Sequence, residues 1–239
     1  MLLEIIVLYL YAMQADNQNL INYLSGFVSE RRQNRLQEVL NERTRHIKIV
    51  LEDVYQAHNA SAVLRSCDCF GIQDVHFIEN KNRYKISEDV AMGASQWLNI
   101  YRHSSEENNT KSCLQELKSK GYRIIATTPH KNDKSLQNLD VSTPFALVFG
   151  TEIDGITEEA CEMADEFVRI PMYGFTESFN ISVCAALCMY ELSTRLRETN
   201  INFKLSEGEK DEIYLEWLMA SISKSDLIVK EYFNKQANT

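Results

Sequence analysis

From Ile47 onward, short runs rich in β-branched and aromatic residues alternate with longer stretches whose apolar positions recur every three or four residues. The strand-like runs are 47–53 (IKIVLED), 74–79 (DVHFIE), 98–103 (LNIYRH), 122–127 (YRIIAT), 145–150 (FALVFG) and 167–171 (FVRIP). Several are apolar at successive positions, so both faces of the strand need a cover, as in a parallel sheet between two helical layers. Helical stretches lie between them at 59–70, 106–120 and 157–164. The first two stop at Gly71 and Gly121, where a glycine just past the last turn takes the left-handed conformation that ends a helix. The alternation predicts an α/β domain with a largely parallel sheet.

Helical patterning also flanks this region. Residues 18–45 read as helical, with Leu20, Tyr23, Leu24, Phe27, Leu36, Val39 and Leu40 at helical spacing and Arg31, Arg32 and Arg35 on one face. From Ser178 to Arg197 the chain forms a helix that is apolar on most sides, which places it in a core or a subunit interface. Residues 206–235 predict two more helices, with Leu215, Trp217, Leu218 and Ile222 facing inward. The expected division is an N-terminal helical extension over 1–46, a central domain over 47–198 and a C-terminal helical extension over 199–239. The apolar start, MLLEIIVLYLYAM, is shorter than the ~20 residues that span a bilayer. It has no basic leader and carries Glu4, so it does not fit a signal peptide. We expect residues 1–12 to derive from an upstream start codon, with Met13 as the usual beginning; an ordered apolar arm is the alternative.

With 239 residues, 44% hydrophobic and 25% charged, the chain can build an ordinary globular core. Its net charge of −9 announces no nucleic-acid partner globally. Between Glu30 and Lys48, however, Arg31, Arg32, Arg35, Arg43, Arg45 and Lys48 outnumber Glu30, Glu38 and Glu42. That segment is either a phosphate-binding face or a solvated helix surface. The six cysteines form no CxxC pair and sit at no zinc-finger spacing from a histidine. They read as small buried hydrophobes in a reducing cytoplasm.

The chemistry concentrates in loops. In open α/β sheets ligands bind beyond the carboxyl ends of the strands. Three strands here run into Thr128–Pro129–His130, GTEIDG and PMYGFTESFN, and these loops hold five of the chain's eleven prolines and glycines. Such loops bring backbone N–H and C=O groups close to a flat polar ligand. None is a GxGxxG, a phosphate-binding GxxxxGK[ST] or a GxSxG elbow, which disfavours dinucleotide, NTPase and serine-hydrolase chemistry. A fourth stretch, HNASAVLRS, carries Asn59 as a candidate helix cap and Arg65 on an otherwise apolar helix. An arginine there faces either an anionic ligand or a neighbouring carboxylate.

Three of these stretches, in order, resemble the three signature motifs of the SpoU/TrmH family of RNA ribose 2′-O-methyltransferases, within the SPOUT superfamily. Asn59 and Arg65 match the first motif. Gly150, Glu152 and Gly155 in LVFGTEIDG match the second. Ile170, Pro171, Met172, Gly174, Ser178 and Asn180 match the third, with Phe179 where the family has leucine. The loop GASQW (93–97) is similar too, and the likeness runs from about Leu20 to Arg197. The arginine-rich start and the C-terminal helices resemble the tRNA branch, which modifies guanosine 18 of the D-loop.

The resemblance implies a six-stranded parallel sheet with helices on both faces and a C-terminal part threaded as a trefoil knot. It implies S-adenosylmethionine as methyl donor, no metal, tRNA as substrate and a homodimer closed through the helix after Ser178. By the same likeness Thr127, Leu147, Gly150, Ile170, Met172 and Phe179 hold the cofactor. Arg65 is the catalytic arginine, supported by Asn59, Glu152, Ser178 and Asn180, and Arg31, Arg32 and Arg35 hold RNA. A guanidinium stays protonated, so Arg65 is expected to grip phosphate and stabilise alkoxide charge rather than to act as a base. Three rival readings are the same chemistry on ribosomal RNA, an RNA-binding relative without catalysis, and a generic nucleotide-binding α/β protein.

Overall fold

The computed structural model describes residues 17–84, 87–129, 133–151 and 154–237. Residues 1–12 and Glu152, both singled out above, lie outside them. The chain divides into two compact units, one spanning Thr44–Phe203 and the other joining the segment up to Arg43 with the segment from Lys204.

The larger unit is a seven-stranded sheet in which every pairing is parallel. Its strands are β1 (Ile47–Glu52), β2 (Asp74–Ile78), β3 (Asn99–His103), β4 (Arg123–Thr127), β5 (Lys134–Ser135), β6 (Phe145–Phe149) and β7 (Glu166–Arg169), in the spatial order β3-β2-β1-β6-β4-β7-β5. Six correspond to the predicted runs. The seventh, β5, is a two-residue edge strand paired with Val168 and Arg169, too short to leave a hydrophobic pattern. β1, β2 and β6 are buried along their whole length, which is why they read as apolar on both faces.

Helices cover both faces. On one side α3 (Ala57–Phe70) and α7 (Ile181–Arg197) pack Val63, Leu64, Cys67, Met189 and Leu192 onto Ile49, Leu51, Val75 and Leu147. On the other, α5 (Asn109–Ser119) and α6 (Glu158–Met163) set Cys113, Leu114, Leu117 and Ala160 against Val50, Ile78, Ile124 and Val148. Neighbours such as Ile49 and Val50 thus serve opposite layers, each fully buried Leu- or Ile-sized side chain contributing about 1.5–3 kcal/mol. A short helix, α4 (Glu88–Ala91), and a 3₁₀ turn at Ala94–Trp97 precede β3. Gly71 ends α3 at φ 74°, with its N–H on the carbonyls of Asp68 and Cys67, the left-handed cap expected of it.

The second unit is helical: α1 (Asn17–Ser25), α2 (Glu30–Leu40), α8 (Glu207–Ser221) and α9 (Ser225–Ala237). The 18–45 stretch is therefore two helices, not one. Ser29 starts α2 by accepting from the Arg32 N–H, and Gln33 Nε2 donates to the carbonyls of Ser25 and Val28 at 2.7 Å each, fixing the corner. Leu20, Leu24, Leu36 and Leu40 face inward as expected, whereas Phe27, in that corner, is half exposed. The terminal segments pack on each other: Tyr23 meets Tyr232 at 4.9 Å, and Arg43 lies over the Trp217 ring at 5.2 Å. Among the described residues no helix is long and apolar enough to cross a membrane.

Candidate active site

A cleft of about 430 Å³ opens at the carboxyl ends of β4, β6 and β7. The sheet order explains its position. β4 lies between β6 and β7, so the loops leaving Thr127, Phe149 and Arg169 emerge side by side at one edge. Thr127 closes β4 by donating its hydroxyl to the Val148 carbonyl at 2.9 Å, and Thr128 N–H bonds the Val168 carbonyl at 3.0 Å. These bonds hold the first loop against the strands that carry the other two.

The second loop folds back on itself. Thr151 N–H donates to the Gly155 carbonyl at 2.8 Å, and Gly155 N–H returns the bond to the Thr151 carbonyl at 3.1 Å. The Thr151 hydroxyl also accepts from Asp154 N–H at 2.9 Å. A Cβ on Gly150 would lie 2.0 Å from the carbonyl carbon and oxygen of Gly155, so only glycine permits this crossing, and Gly155 itself sits at φ 70°.

The third loop runs from Ile170 to Asn180, and Asn180 caps α7. Its Oδ1 accepts from the Ser182 N–H at 2.9 Å and hydroxyl at 2.6 Å, while its Nδ2 donates to Asn59 Oδ1 at 3.2 Å. Asn59 is therefore not the cap of α3. That helix begins two residues earlier, at Ala57, and Asn59, buried in its first turn, serves as the partner of Asn180. The first and third motifs are tied together by this pair.

Residues 46–190 match the model of the SpoU rRNA Methylase family. The chain belongs to this family. It is 42% identical to the tRNA (guanosine(18)-2′-O)-methyltransferase of Borreliella burgdorferi, over 86% of this chain and 92% of that one. It is 32% identical to the enzyme of the same name from Aquifex aeolicus, over 82% and 93%. Among solved structures, the Aquifex aeolicus TrmH/SpoU tRNA modifying enzyme superposes with a TM-score of 0.73 at 31% identity, covering 82% of this chain and 98% of that one.

Within this SpoU-family fold, Thr127, Gly150, Ile170, Met172, Ser178 and Phe179 all line the cleft. Leu147 does not. It sits two residues inside β6, fully buried and paired between Ile49 and Ile125, so it belongs to the core beneath the cleft floor. Asn59, Asn180 and Arg65 are not part of the lining either. Arg65 is exposed on α3 and makes no hydrogen bond or ion pair among the described residues, so the neighbouring carboxylate considered above is absent among them. Arg31, Arg32 and Arg35 are exposed on α2, Arg35 beside Glu38 at 3.3 Å. Arg43, Arg45 and Lys48 do not extend that face. Arg43 is buried, Arg45 and Lys48 both meet the buried Asp74, and their partners Trp217 and Asp74 lie far along the chain.

Several lining residues were not among the site residues assigned from the motifs: Thr128, Phe149, Asp154, Cys161, Glu177 and Cys184. Three of them, Thr128, Phe149 and Asp154, flank a motif glycine or a strand end, which is the signal that would have found them. The cysteines are not uniformly buried, since Cys69 is exposed and Cys161 and Cys184 are half-buried at the cleft. Burial, with the carboxylates of Glu52 and Glu158 nearby, pushes the Cys161 thiol up, so it stays neutral.

Proposed function

We propose that this protein transfers a methyl group from S-adenosylmethionine to the ribose 2′-hydroxyl of guanosine 18 in tRNA. The observation that supports it most is the convergence of the loops leaving β4, β6 and β7, the last two carrying the second and third motifs, on one cleft. Relatives named for this reaction match the chain over more than nine-tenths of their own length.

The cleft suits the cofactor. Its volume falls in the range of small-molecule sites, roughly 300–1,000 Å³. Asp154 and Glu177 line it and no lysine or arginine does among the described residues, which favours a cationic sulfonium over an anion. The threaded segment expected from the resemblance would lie in 145–197, which carries two of the three loops. S-adenosylmethionine supplies an already activated methyl group. Thr127, Gly150, Ile170, Met172 and Phe179 position it, and Ser178 orders the rim. Arg65 binds the phosphate beside the reacting ribose and stabilises negative charge on the 2′-oxygen as its proton leaves.

The reading includes a homodimer. The face of α7 that meets α3 buries Ala185, Cys188, Met189 and Leu192, while Val183, Leu187 and Tyr190 form an exposed apolar stripe. The helix is thus apolar all round for two reasons, one of them a partner. Arg65 stands outside the cleft of its own chain, so in the dimer it serves the partner's cleft. Arg31, Arg32 and Arg35 hold tRNA phosphates, making affinity fall steeply with salt. A tRNA substrate places the enzyme in the cytoplasm.

Incubating the protein with labelled S-adenosylmethionine and a tRNA transcript, then mapping the label, tests the reading. Label on the ribose of guanosine 18, lost when that nucleotide is replaced, is the expected result. Label on ribosomal RNA fragments instead would favour the ribosomal substrate that the family's name gives, and no transfer to any RNA would leave a binding protein.

A further inference from the structure

On the α5 side of the sheet three soft donors meet, and none of them belongs to the cleft. His76 in β2, His103 at the end of β3 and Cys113 in α5 each bring one donor atom, an imidazole nitrogen or Sγ, to within 4.8 Å of the other two. Their positions share no sequence spacing, which is why the chain showed no metal signature. His76 is 2% exposed and Cys113 is fully buried; His103 is half-buried and gives the group its opening to solvent.

The histidines are already paired for such a role. His76 Nδ1 and His103 Nε2 lie 3.0 Å apart and share one hydrogen, with their rings 20° from coplanar. That bond uses one nitrogen of His76. The other, Nε2, is buried without a hydrogen-bond partner, on a ring stacked at 4.6 Å against Tyr101. A fully buried, unpaired imidazole nitrogen on a residue that also groups with a buried thiol is a costly arrangement for a core that has no use for it.

We propose that His76, His103 and Cys113 form a metal site for one borderline-soft divalent cation of the zinc class, with water in the fourth position. Two imidazoles and a thiolate suit zinc and exclude magnesium or calcium, which take oxygen donors. Tetrahedral zinc holds its ligands at about 2.0–2.3 Å, so the donors must close by on the order of 1 Å, within reach of a cysteine rotamer change. Binding releases the Cys113 proton to solvent as the sulfur–metal bond forms. The two nearby cations do not oppose it at full strength. Lys48 is paired with Asp74, and Lys120 with Glu116 at 2.5 Å. A bound ion would pin β3, the outermost strand on that side, to β2 and α5. The inference is independent of the methyl-transfer reading.

Titrating the full-length, metal-stripped protein with Co²⁺ tests the site. One equivalent should produce a thiolate-to-cobalt charge-transfer band that Zn²⁺ abolishes, and Zn²⁺ should raise the melting temperature. Cys113→Ala should lose the band, while Cys69→Ser keeps it. A second variant, His103→Gln, guards against a Cys113→Ala protein that fails to fold; it should weaken Co²⁺ binding by at least about tenfold, since even outer-sphere losses cost 10–100-fold. The absence of a band, a band that survives Cys113→Ala, or unchanged affinity in His103→Gln would each overturn the proposal.

Discussion

Asn180 donates from Nδ2 to Asn59 Oδ1 across 3.2 Å, joining the starts of two helices that lie 121 residues apart in the chain. The same side chain accepts from Ser182 N–H at 2.9 Å, so one amide caps α7 and fastens it to α3. Replacing it removes a cap and leaves the buried Asn59 without this partner. Asn180→Ala should cost about 1–3 kcal/mol, which lowers the melting temperature by roughly 2–4 °C per kcal/mol in a chain of this size. Calorimetry checks it. An unchanged melting temperature would mean that the pair is incidental.

Gly150 leaves no room for a side chain, because its Cβ would fall 2.0 Å from the Gly155 carbonyl. Gly150→Ala must push the loop out of the cleft. Overpacking of this kind costs about 1–3 kcal/mol, which is a loss of S-adenosylmethionine affinity of about five- to 150-fold. Isothermal titration measures it, with circular dichroism unchanged.

Arg65→Ala should lower turnover on the order of 10²–10³-fold and leave cofactor affinity as it is. Because Arg65 lies outside the cleft lining of its own chain, mixing Arg65→Ala with Gly150→Ala subunits should restore activity. One dimer partner then offers the arginine and the other the intact cleft. A mixture as inactive as its components would show that the arginine acts within its own chain.

Leu187 is 40% exposed in the middle of the α7 stripe, between Val183 and Tyr190. Leu187→Glu places a carboxylate where an apolar partner surface should close, and desolvating it is unfavourable. The variant should sediment at half the mass of the parent while keeping its helical content. Identical sedimentation would move the interface elsewhere.

His46 sets a limit on acid stability. Its Nε2 lies 2.9 Å from the Val141 carbonyl. Burial lowers its pKa, the Val141 bond partly offsets this, and Arg123 adds to the lowering. Above pH 6.5 the ring is neutral in both folded and unfolded chains. Below it the unfolded chain takes the proton first, so stability falls by up to about 1.4 kcal/mol per pH unit until the folded value is reached. His46→Gln should flatten the fall in melting temperature between pH 7 and 5. Parallel curves would show that His46 does not contribute.

The sheet was legible because β1, β2 and β6 are covered on both faces, and that demand is written into each strand by itself. The ends at Gly71 and Gly121 were legible for the same local reason: their φ angles are 74° and 86°. What escaped the sequence depends on a distant partner. Asn59 looked like a cap until Asn180 claimed it, and Lys48 looked like part of an RNA face until Asp74 did. Leu147, two residues from Phe149, is cut off from the cleft only by the depth of β6. The two-residue β5 and the corner at 26–29 are set by single contacts that leave no periodic trace.

The helices α1 and α2 bury Leu20, Leu24, Leu36 and Leu40 in a unit completed by α8 and α9. Within that unit α1 and α2 meet α8 and α9 only after the residues from Thr44 to Phe203 have been synthesised between them. A stop codon before Glu207 would therefore leave α1 and α2 without the two helices that complete their unit.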